Sequence, residues 1–270
     1  MGKKKPSSVH HKVRHSASLH EQKNAAAEEV VELKKRSKHT SPCFLDPNPS
    51  LEHVNQAKSR TSLAIQKKLD SGTFELHFEN LWRSFSAERK TSFTHLDSLW
   101  FSLYLKEDSR EKVLSWIKRE HIFSKKYVLI PIVCWGHWSL LIFCHFGENL
   151  LSKSKRPCML LLDSLEMANP RRLEPYIRKF VLDIYRAYGI TDAEDVIFQI
   201  PLLVPKVPQQ KNEECGSFVL YFINLFMKTA PETFSISEGY PYFMNQDWFT
   251  RESFELFCSK LETQSSMHAN

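Results

Sequence analysis

The feature that most constrains how this chain can fold is the apolar run at residues 216–227. It reads Gly-Ser-Phe-Val-Leu-Tyr-Phe-Ile-Asn-Leu-Phe-Met and is apolar on nearly every side when it is drawn as a helix. A helix with no polar face has to be covered by protein all round. The run therefore predicts a helix that is buried at the centre of a domain.

The rest of the chain predicts an α+β domain around this helix. Apolar residues at helical spacing predict helices at 51–69, 75–90, 96–105, 111–118, 170–188 and 246–261. Short apolar runs of the kind found in strands lie at 127–133, 138–144, 159–162 and 196–201. The apolar window 128–146 is interrupted by Pro131, Gly136 and His137, which favours two strands and a turn over a membrane span.

The N-terminal segment has a different composition from the rest of the chain. Its first 40 residues hold ten Lys and Arg against four Glu, which accounts for the whole net charge of +6. Few large apolar groups are present there, so we predict a basic, disordered tail at 1–50 and a folded domain at 51–265. The basic clusters at 3–5 and 34–38 are compatible with nuclear import and equally with a solubilising arm. We expect a nuclear or nucleocytoplasmic protein.

Composition also argues against several classes of function. The charges outside the tail balance, which gives no basic surface for nucleic acid, so we expect no nucleic-acid partner. The six cysteines form no CxxC pair and no Cys/His group at zinc spacing, so we expect neither a disulfide framework nor a metal site. The N-terminus carries no apolar stretch of the secretory kind, and we expect a protein that is not secreted, not membrane-bound and monomeric.

Three residues stand where a nucleophilic site needs them. Cys215 directly precedes the central helix, where free N–H groups and the helix dipole favour a thiolate. His137 lies at the junction of two predicted strands, a rigid support for a general base. Asp163 ends the strand 159–162, where a carboxylate can hold an imidazole in its correct tautomer. Each residue alone has an ordinary structural explanation, but the three together predict a Cys–His–Asp site.

The order and context of these residues resemble a known family. The motifs that carry the resemblance are Ile130-Pro131, His137-Trp138, Leu162-Asp163-Ser164, Pro208-Gln209-Gln210-Lys211-Asn212 and Cys215-Gly216. Over about residues 75–260 the chain resembles the ubiquitin-like-specific (SUMO/sentrin) cysteine proteases. The resemblance implies a papain-like fold in which the central helix packs on a small mixed β-sheet.

The resemblance also implies a reaction without a metal or organic cofactor. Cys215 would attack the carbonyl that follows the C-terminal Gly-Gly of a small modifier, His137 would act as general base, and Asp163 would orient it. The partners would be a SUMO-type modifier and its conjugates.

The oxyanion donor in this family is a glutamine of the Pro-Gln-Gln motif, and we assign Gln210 to it. The family's Asn-Gly-x-Asp-Cys segment is one residue shorter here, at 212–215, so counting back from Cys215 selects Gln209 instead. Glu214 replaces the family's Asp before the cysteine.

Three further residues are expected at the substrate. Trp138 matches a wall of the family's diglycine tunnel, although it could equally belong to the core. Gly216 has no side chain to obstruct an approaching carbonyl. His95 stands where the family has a Trp that helps to cover the tunnel.

These expectations leave three hypotheses for function. The first is a thiol isopeptidase or processing endopeptidase that acts after Gly-Gly, with SUMO as the leading substrate class. The second is a catalytically impaired module that binds a ubiquitin-like modifier, which the departures at His95 and in the loop before Cys215 favour. The third keeps the chemistry but changes the modifier to the NEDD8/RUB type.

Overall fold

The computed structural model describes residues 68–150, 152, 155–191, 193–232 and 236–267. All of them belong to the second of the two units into which the chain divides, Val54–Asn270. The predicted tail, its basic clusters and most of the helix predicted at 51–69 lie outside the described residues. The domain boundary near residue 50 therefore stays a prediction.

The first described helix begins at a well-defined cap. The Asp70 carboxylate accepts hydrogen bonds from the backbone N–H groups of Gly72 and Thr73, at 2.8 and 3.0 Å, and such a bond to the first-turn N–H groups stabilises a helix start. This helix and the α-helices that follow it before the long strands are α1 (Ser71–Ser84), α2 (Ala87–Thr91), α3 (Trp100–Tyr104) and α4 (Arg110–Arg119). The helix predicted at 111–118 is confirmed, the one predicted at 75–90 is divided at Phe85 and Ser86 into α1 and α2, and the one predicted at 96–105 is shorter.

A five-stranded mixed sheet carries the site. In spatial order its strands are β1 (Phe93–His95), β2 (Tyr127–Cys134), β3 (His137–Cys144), β4 (Cys158–Leu162) and β5 (Leu202–Leu203). The two outer pairs run parallel and the two inner pairs antiparallel. Strand β4 and all of β3 beyond its first residue are buried, as their apolar sequence predicts.

A two-residue turn joins β2 to β3 and fixes where His137 lies. Trp135 and Gly136 both have positive φ, 50° and 75°, the combination that a tight hairpin requires and that glycine adopts without strain. Cys134 pairs with His137 across this turn, so the histidine is the first residue of β3. The apolar window at 128–146 is thus a hairpin, and no helix in the described part of the chain is long and apolar enough to cross a membrane.

The chain leaves the sheet after β4 and returns to it for only two residues. The α-helices of this half are α5 (Glu174–Ala187), α6 (Glu194–Phe198), α7 (Cys215–Thr229) and α8 (Arg251–Met267). The strand predicted at 196–201 is wrong, because its first residues are helical. The guanidinium of Arg178 on α5 donates to the carbonyl oxygens of Phe198 and Ile200, at 2.6 and 3.1 Å, and holds the end of α6 away from the sheet.

Helix α7 forms the centre of the domain. Twelve of its fifteen residues are buried, because the helix lies among the sheet, α1 and α8. Phe218 and Phe254 of α8 pack with their ring centroids 4.3 Å apart. The predicted α+β fold with a buried central helix on a mixed sheet is confirmed.

Candidate active site

Cys215 is the first residue of α7 and is 4% exposed. At this position the N–H groups of the first turn have no partner within the helix, and the helix dipole stabilises a negative charge. The thiol is free, as are the other four cysteines in the described residues. The predicted position at the start of the central helix is confirmed.

His137 reaches Asp163 from the beginning of β3. Its Nε2 lies 2.8 Å from Asp163 Oδ1, and its side chain is 11% exposed. Because Nε2 is engaged with the carboxylate, Nδ1 is the ring nitrogen left to interact with Cys215, which lies close enough to His137 to raise the pKa of the imidazole. The structure therefore brings together the three residues that the sequence predicts.

The electrostatics of this cluster favour a protonated imidazole. Burial alone lowers the pKa of His137, but its hydrogen bonds to Asp163 and Cys215, with the charges of those groups, raise it to about 9. An imidazolium at neutral pH stabilises a thiolate beside it. The arrangement suits a Cys–His ion pair that is oriented by a carboxylate.

The Asp163 carboxylate is held from three directions. Besides His137, Oδ1 accepts from the backbone N–H of Leu165 at 2.8 Å. Oδ2 accepts from the hydroxyl of Ser139 at 2.7 Å. The side chain is almost fully buried, so these donors fix the direction of the carboxylate.

Ser139 is a site residue that the sequence analysis missed. It lies two residues after His137 on β3, and alternate residues of a strand point to the same face. A buried hydroxyl within the otherwise apolar run 138–144 is the signal that could have found it.

The Pro-Gln-Gln segment lies next to Asp163, and both of its glutamines are engaged. Gln210 donates its backbone N–H to the carbonyl of Ser164 at 2.9 Å, accepts from the Ser164 hydroxyl at 2.7 Å, and donates Nε2 to the carbonyl of Asn212 at 2.6 Å. Gln209 accepts from the N–H of Glu166 at 2.6 Å and donates to the carbonyl of Val207 at 2.8 Å. The choice of Gln210 over Gln209 stays a prediction.

Trp138 and Gly216 are covered by the segment that precedes α1. The Trp138 indole N–H donates to the carbonyl of Leu69 at 3.2 Å, its ring stacks on Phe74 at 4.1 Å, and the residue is 1% exposed. A Cβ added to Gly216 would lie 3.1 Å from Leu69 Cβ. Trp138 thus packs in the core, and Leu69 is a physical reason for a glycine at 216.

His95 packs against helix α1. The centroid of its ring lies 4.6 Å from the centroid of the Phe78 ring and 4.7 Å from that of the Trp82 ring. Phe78 in turn contacts Phe74, the ring that stacks on Trp138. Ring contacts through Phe78 and Phe74 of α1 thus connect the His95 ring to the Trp138 ring, both of which the sequence places at one tunnel.

Among the described residues, no group of three or more His, Cys, Asp or Glu is arranged to hold a metal ion. The groups gathered at the site are a thiol, an imidazole and a carboxylate.

A central helix that begins with a cysteine, on a mixed sheet that supplies the histidine and the aspartate, defines the papain-like class of cysteine-protease folds. Residues 81–255 match the Ulp1 protease family, C-terminal catalytic domain. The chain belongs to this family, as the resemblance predicts.

Individual relatives agree with this assignment. The probable ubiquitin-like-specific protease 2A of Arabidopsis thaliana is 30% identical over 151 residues, which cover 53% of this chain and 20% of that protein. Sentrin-specific protease 7 of Homo sapiens is 22% identical over 211 residues, which cover 56% of this chain and 19% of that protein. The chain thus spans about a fifth of the length of these curated relatives.

One solved structure shows the likeness of fold. A structure described as a de-sumoylating protease shares 18% sequence identity with this chain and superposes with a TM-score of 0.52. The matched region covers 78% of this chain and 80% of that one.

Proposed function

We propose that this chain is a cysteine peptidase that cleaves the bond after the C-terminal Gly-Gly of a small ubiquitin-like modifier. The modifier that we propose is of the SUMO type. The observation that carries the proposal is the hydrogen bond of His137 to Asp163, together with the position of Cys215 near this imidazole at the start of a buried helix. Membership of the Ulp1 protease family supports the same chemistry.

The reaction follows from the protonation states of the pair. The Cys215 thiolate attacks the carbonyl carbon of the terminal glycine, and the His137 imidazolium gives its proton to the departing amine. A thioester remains on the sulfur. His137, now neutral, takes a proton from a water molecule whose oxygen attacks the thioester carbonyl. The sulfur leaves as a thiolate, the modifier is released with a free C-terminal carboxyl group, and the thiolate–imidazolium pair is restored.

The choice of modifier is supported by the named relatives and by the motif series. The curated relatives are named as ubiquitin-like-specific or sentrin-specific proteases, and the solved structure is described as de-sumoylating. A NEDD8/RUB-type modifier with the same C-terminal diglycine is the alternative substrate. Both deconjugation and precursor processing follow from the same cleavage, and a nuclear or nucleocytoplasmic location belongs to the proposal.

The test is a parallel reaction with electrophilic diglycine-ended probes made from SUMO, NEDD8 and ubiquitin. We expect one covalent adduct, on Cys215, formed fastest with the SUMO probe and absent in Cys215→Ala. Cys215→Ser serves as a matched control that keeps the size of the side chain. The absence of an adduct with every probe would overturn the proposal, and preference for the NEDD8 probe would overturn its SUMO part.

A second candidate function is a modifier-binding module with impaired turnover. The observation that favours it is that the side-chain N–H groups of Gln209 and Gln210 both donate to backbone carbonyls. Gln209 Nε2 also donates to the carbonyl of Asp163 at 3.4 Å, so Gln209 has no side-chain N–H group left for an oxyanion in this conformation, and Gln210 has one. Binding of free SUMO without cleavage of a SUMO precursor, unchanged in Cys215→Ala, would establish this function over the first.

A further inference from the structure

The carboxylate that directly precedes Cys215 is buried and paired with an arginine from α8. The side chain of Glu214 is 0% exposed. Arg251, the first residue of α8, donates Nη1 to Glu214 Oε2 at 2.8 Å and Nη2 to Oε1 at 2.5 Å. This two-bond geometry is the strongest form of an Arg–carboxylate contact and fixes direction as well as distance.

Other contacts fasten the same pair to both helices and to the loop. The backbone N–H of Lys211 donates to Glu214 Oε2 at 3.3 Å, which closes the loop that leads into Cys215. The Arg251 guanidinium lies 5.2 Å from the centre of the Phe254 ring, and that ring packs on Phe218 of α7. The first turns of α7 and α8 are thus joined by a polar and an apolar contact.

The charge of this pair matters because Cys215 is the next residue. An unneutralised carboxylate at that position would oppose a thiolate, since like charges close together in a buried site disfavour each other. Burial raises the pKa of Glu214, but the bonds from Arg251 and from the loop backbone lower it below its ordinary value. The carboxylate is therefore ionised, and Arg251 balances it.

We infer that Glu214 and Arg251 form a positioning pair that holds the start of α7 in place and neutralises the carboxylate beside the nucleophile. The inference rests on the proposed function, in which Cys215 is the nucleophile.

Other charged and titratable groups face this pair, and they define the controls. On α8, Glu255 accepts from Arg251 Nε at 2.8 Å. Cys258 also faces Glu214, and burial followed by the charge of Glu214 raises the pKa of its thiol to about 12. On the sheet side, His137 lies close enough to Cys215 for the two groups to interact electrostatically, and it is itself held by Asp163.

The test is the pH dependence of Cys215 alkylation by iodoacetamide in the 270-residue chain, followed by mass spectrometry of the peptide that contains Cys215. This readout needs no modifier and no turnover. Arg251→Gln leaves the carboxylate unbalanced and should move the midpoint of the rate profile up by about one pH unit. Glu214→Gln leaves the guanidinium unbalanced and should move the midpoint down by a similar amount. Glu255→Gln, which removes the other partner of Arg251, should leave the midpoint unchanged.

If Glu214 and Arg251 acted only through packing, their two variants could not move the alkylation midpoint in opposite directions. If both variants of the pair leave the midpoint in place, or move it in the same direction, the inference is overturned. Arg251→Lys keeps the charge but loses the two-bond geometry, so it should keep the wild-type midpoint and react about tenfold more slowly with a SUMO probe. Should Arg251→Gln fail to fold, the sign of the Glu214→Gln shift decides, because that change preserves size and keeps one acceptor oxygen for Arg251.

The outcome for the pair and the outcome for the proposed function can be told apart. Opposite shifts in alkylation with no adduct from any diglycine-ended probe would support the positioning pair and remove the proposed peptidase activity. An adduct in the wild type, with no shift of the alkylation midpoint in any variant, would support the proposed peptidase activity and overturn the positioning pair.

Discussion

Removal of the Ser139 hydroxyl tests how much its hydrogen bond to Asp163 contributes to the free energy of unfolding. The Ser139–Asp163 hydrogen bond is 2.7 Å long, both residues are buried, and the acceptor is a carboxylate. Hydrogen bonds to charged groups contribute about 1.5–3 kcal/mol, and a buried oxygen that loses its donor carries a desolvation cost. Because two other donors remain on Oδ1, we expect Ser139→Ala to lower the free energy of unfolding by about 2 kcal/mol.

The assay is urea denaturation followed by circular dichroism, combined with a double-mutant cycle. In an Asp163→Ala background, Ser139→Ala should cost almost nothing, which gives a coupling of about 2 kcal/mol between the two residues. Ser115→Ala removes an exposed hydroxyl that bonds only to the carbonyl of Lys112 in its own helix, and it should change stability by less than about 0.5 kcal/mol. A coupling below about 0.5 kcal/mol would refute the reasoning, because Ser139 would then not hold the carboxylate.

Three further predictions concern the surroundings of the nucleophile. Gly216→Ala should lower the free energy of unfolding by about 1 kcal/mol, because the new methyl lies 3.1 Å from Leu69 Cβ and overpacking outweighs the gain in helix propensity. Gln210→Ala should lower kcat on a SUMO precursor about a hundredfold, and Gln209→Ala by less than about threefold, if Gln210 turns to supply the oxyanion donor. The folded-state pKa of His137 is raised to about 9, above its ordinary value of 6.5, so this residue adds stability below pH 6.5 that is lost as the pH rises through 9. The difference in unfolding free energy between wild type and His137→Gln should therefore shrink by about 2 kcal/mol across that interval.

Each of these three predictions has an outcome that would contradict it. A more stable Gly216→Ala variant would show that Leu69 moves aside at little cost. A larger kcat loss in Gln209→Ala than in Gln210→Ala would move the oxyanion role to Gln209. A pH-independent difference between wild type and His137→Gln would mean that the imidazole gains no partner on folding.

Local sequence predicted the parts of the fold that local physics decides. The run 216–227 has no polar face, so burial was its only outcome, and α7 is the central helix. Gly136 between two apolar runs indicated a turn, and the turn makes His137 the first residue of β3. These two elements, with Asp163 at the end of a strand, were enough to predict the cluster of Cys215, His137 and Asp163.

Contacts between distant segments decided what the sequence could not. Val196 and Ile197 favour a strand by their branched side chains, yet Arg178 ties the end of that segment to α5 as a helix. Strand β1 has only three residues and exists because it pairs with β2, more than thirty positions along the chain. Such pairings leave no periodic signal.

At the site, too, contacts between distant segments could not be predicted from the sequence. Ser139 meets Asp163 only through the register of β3 with β4, and Arg251 meets Glu214 across 37 positions of the chain. The sequence places Trp138 at a tunnel wall or in the core; in this structure it is buried against Leu69 and Phe74, and its role at the substrate stays a prediction.

The central claim is that Cys215, His137 and Asp163 act as one electrostatic unit, and an NMR titration of the His137 ring tests it most directly. We expect a pKa near 9 in the wild type, because the imidazole has both an aspartate and a cysteine as partners. In Cys215→Ala the value should fall, since one of the two partners is gone. An imidazole that titrates at or below its ordinary value of 6.5, and does so equally in Cys215→Ala, would contradict the account.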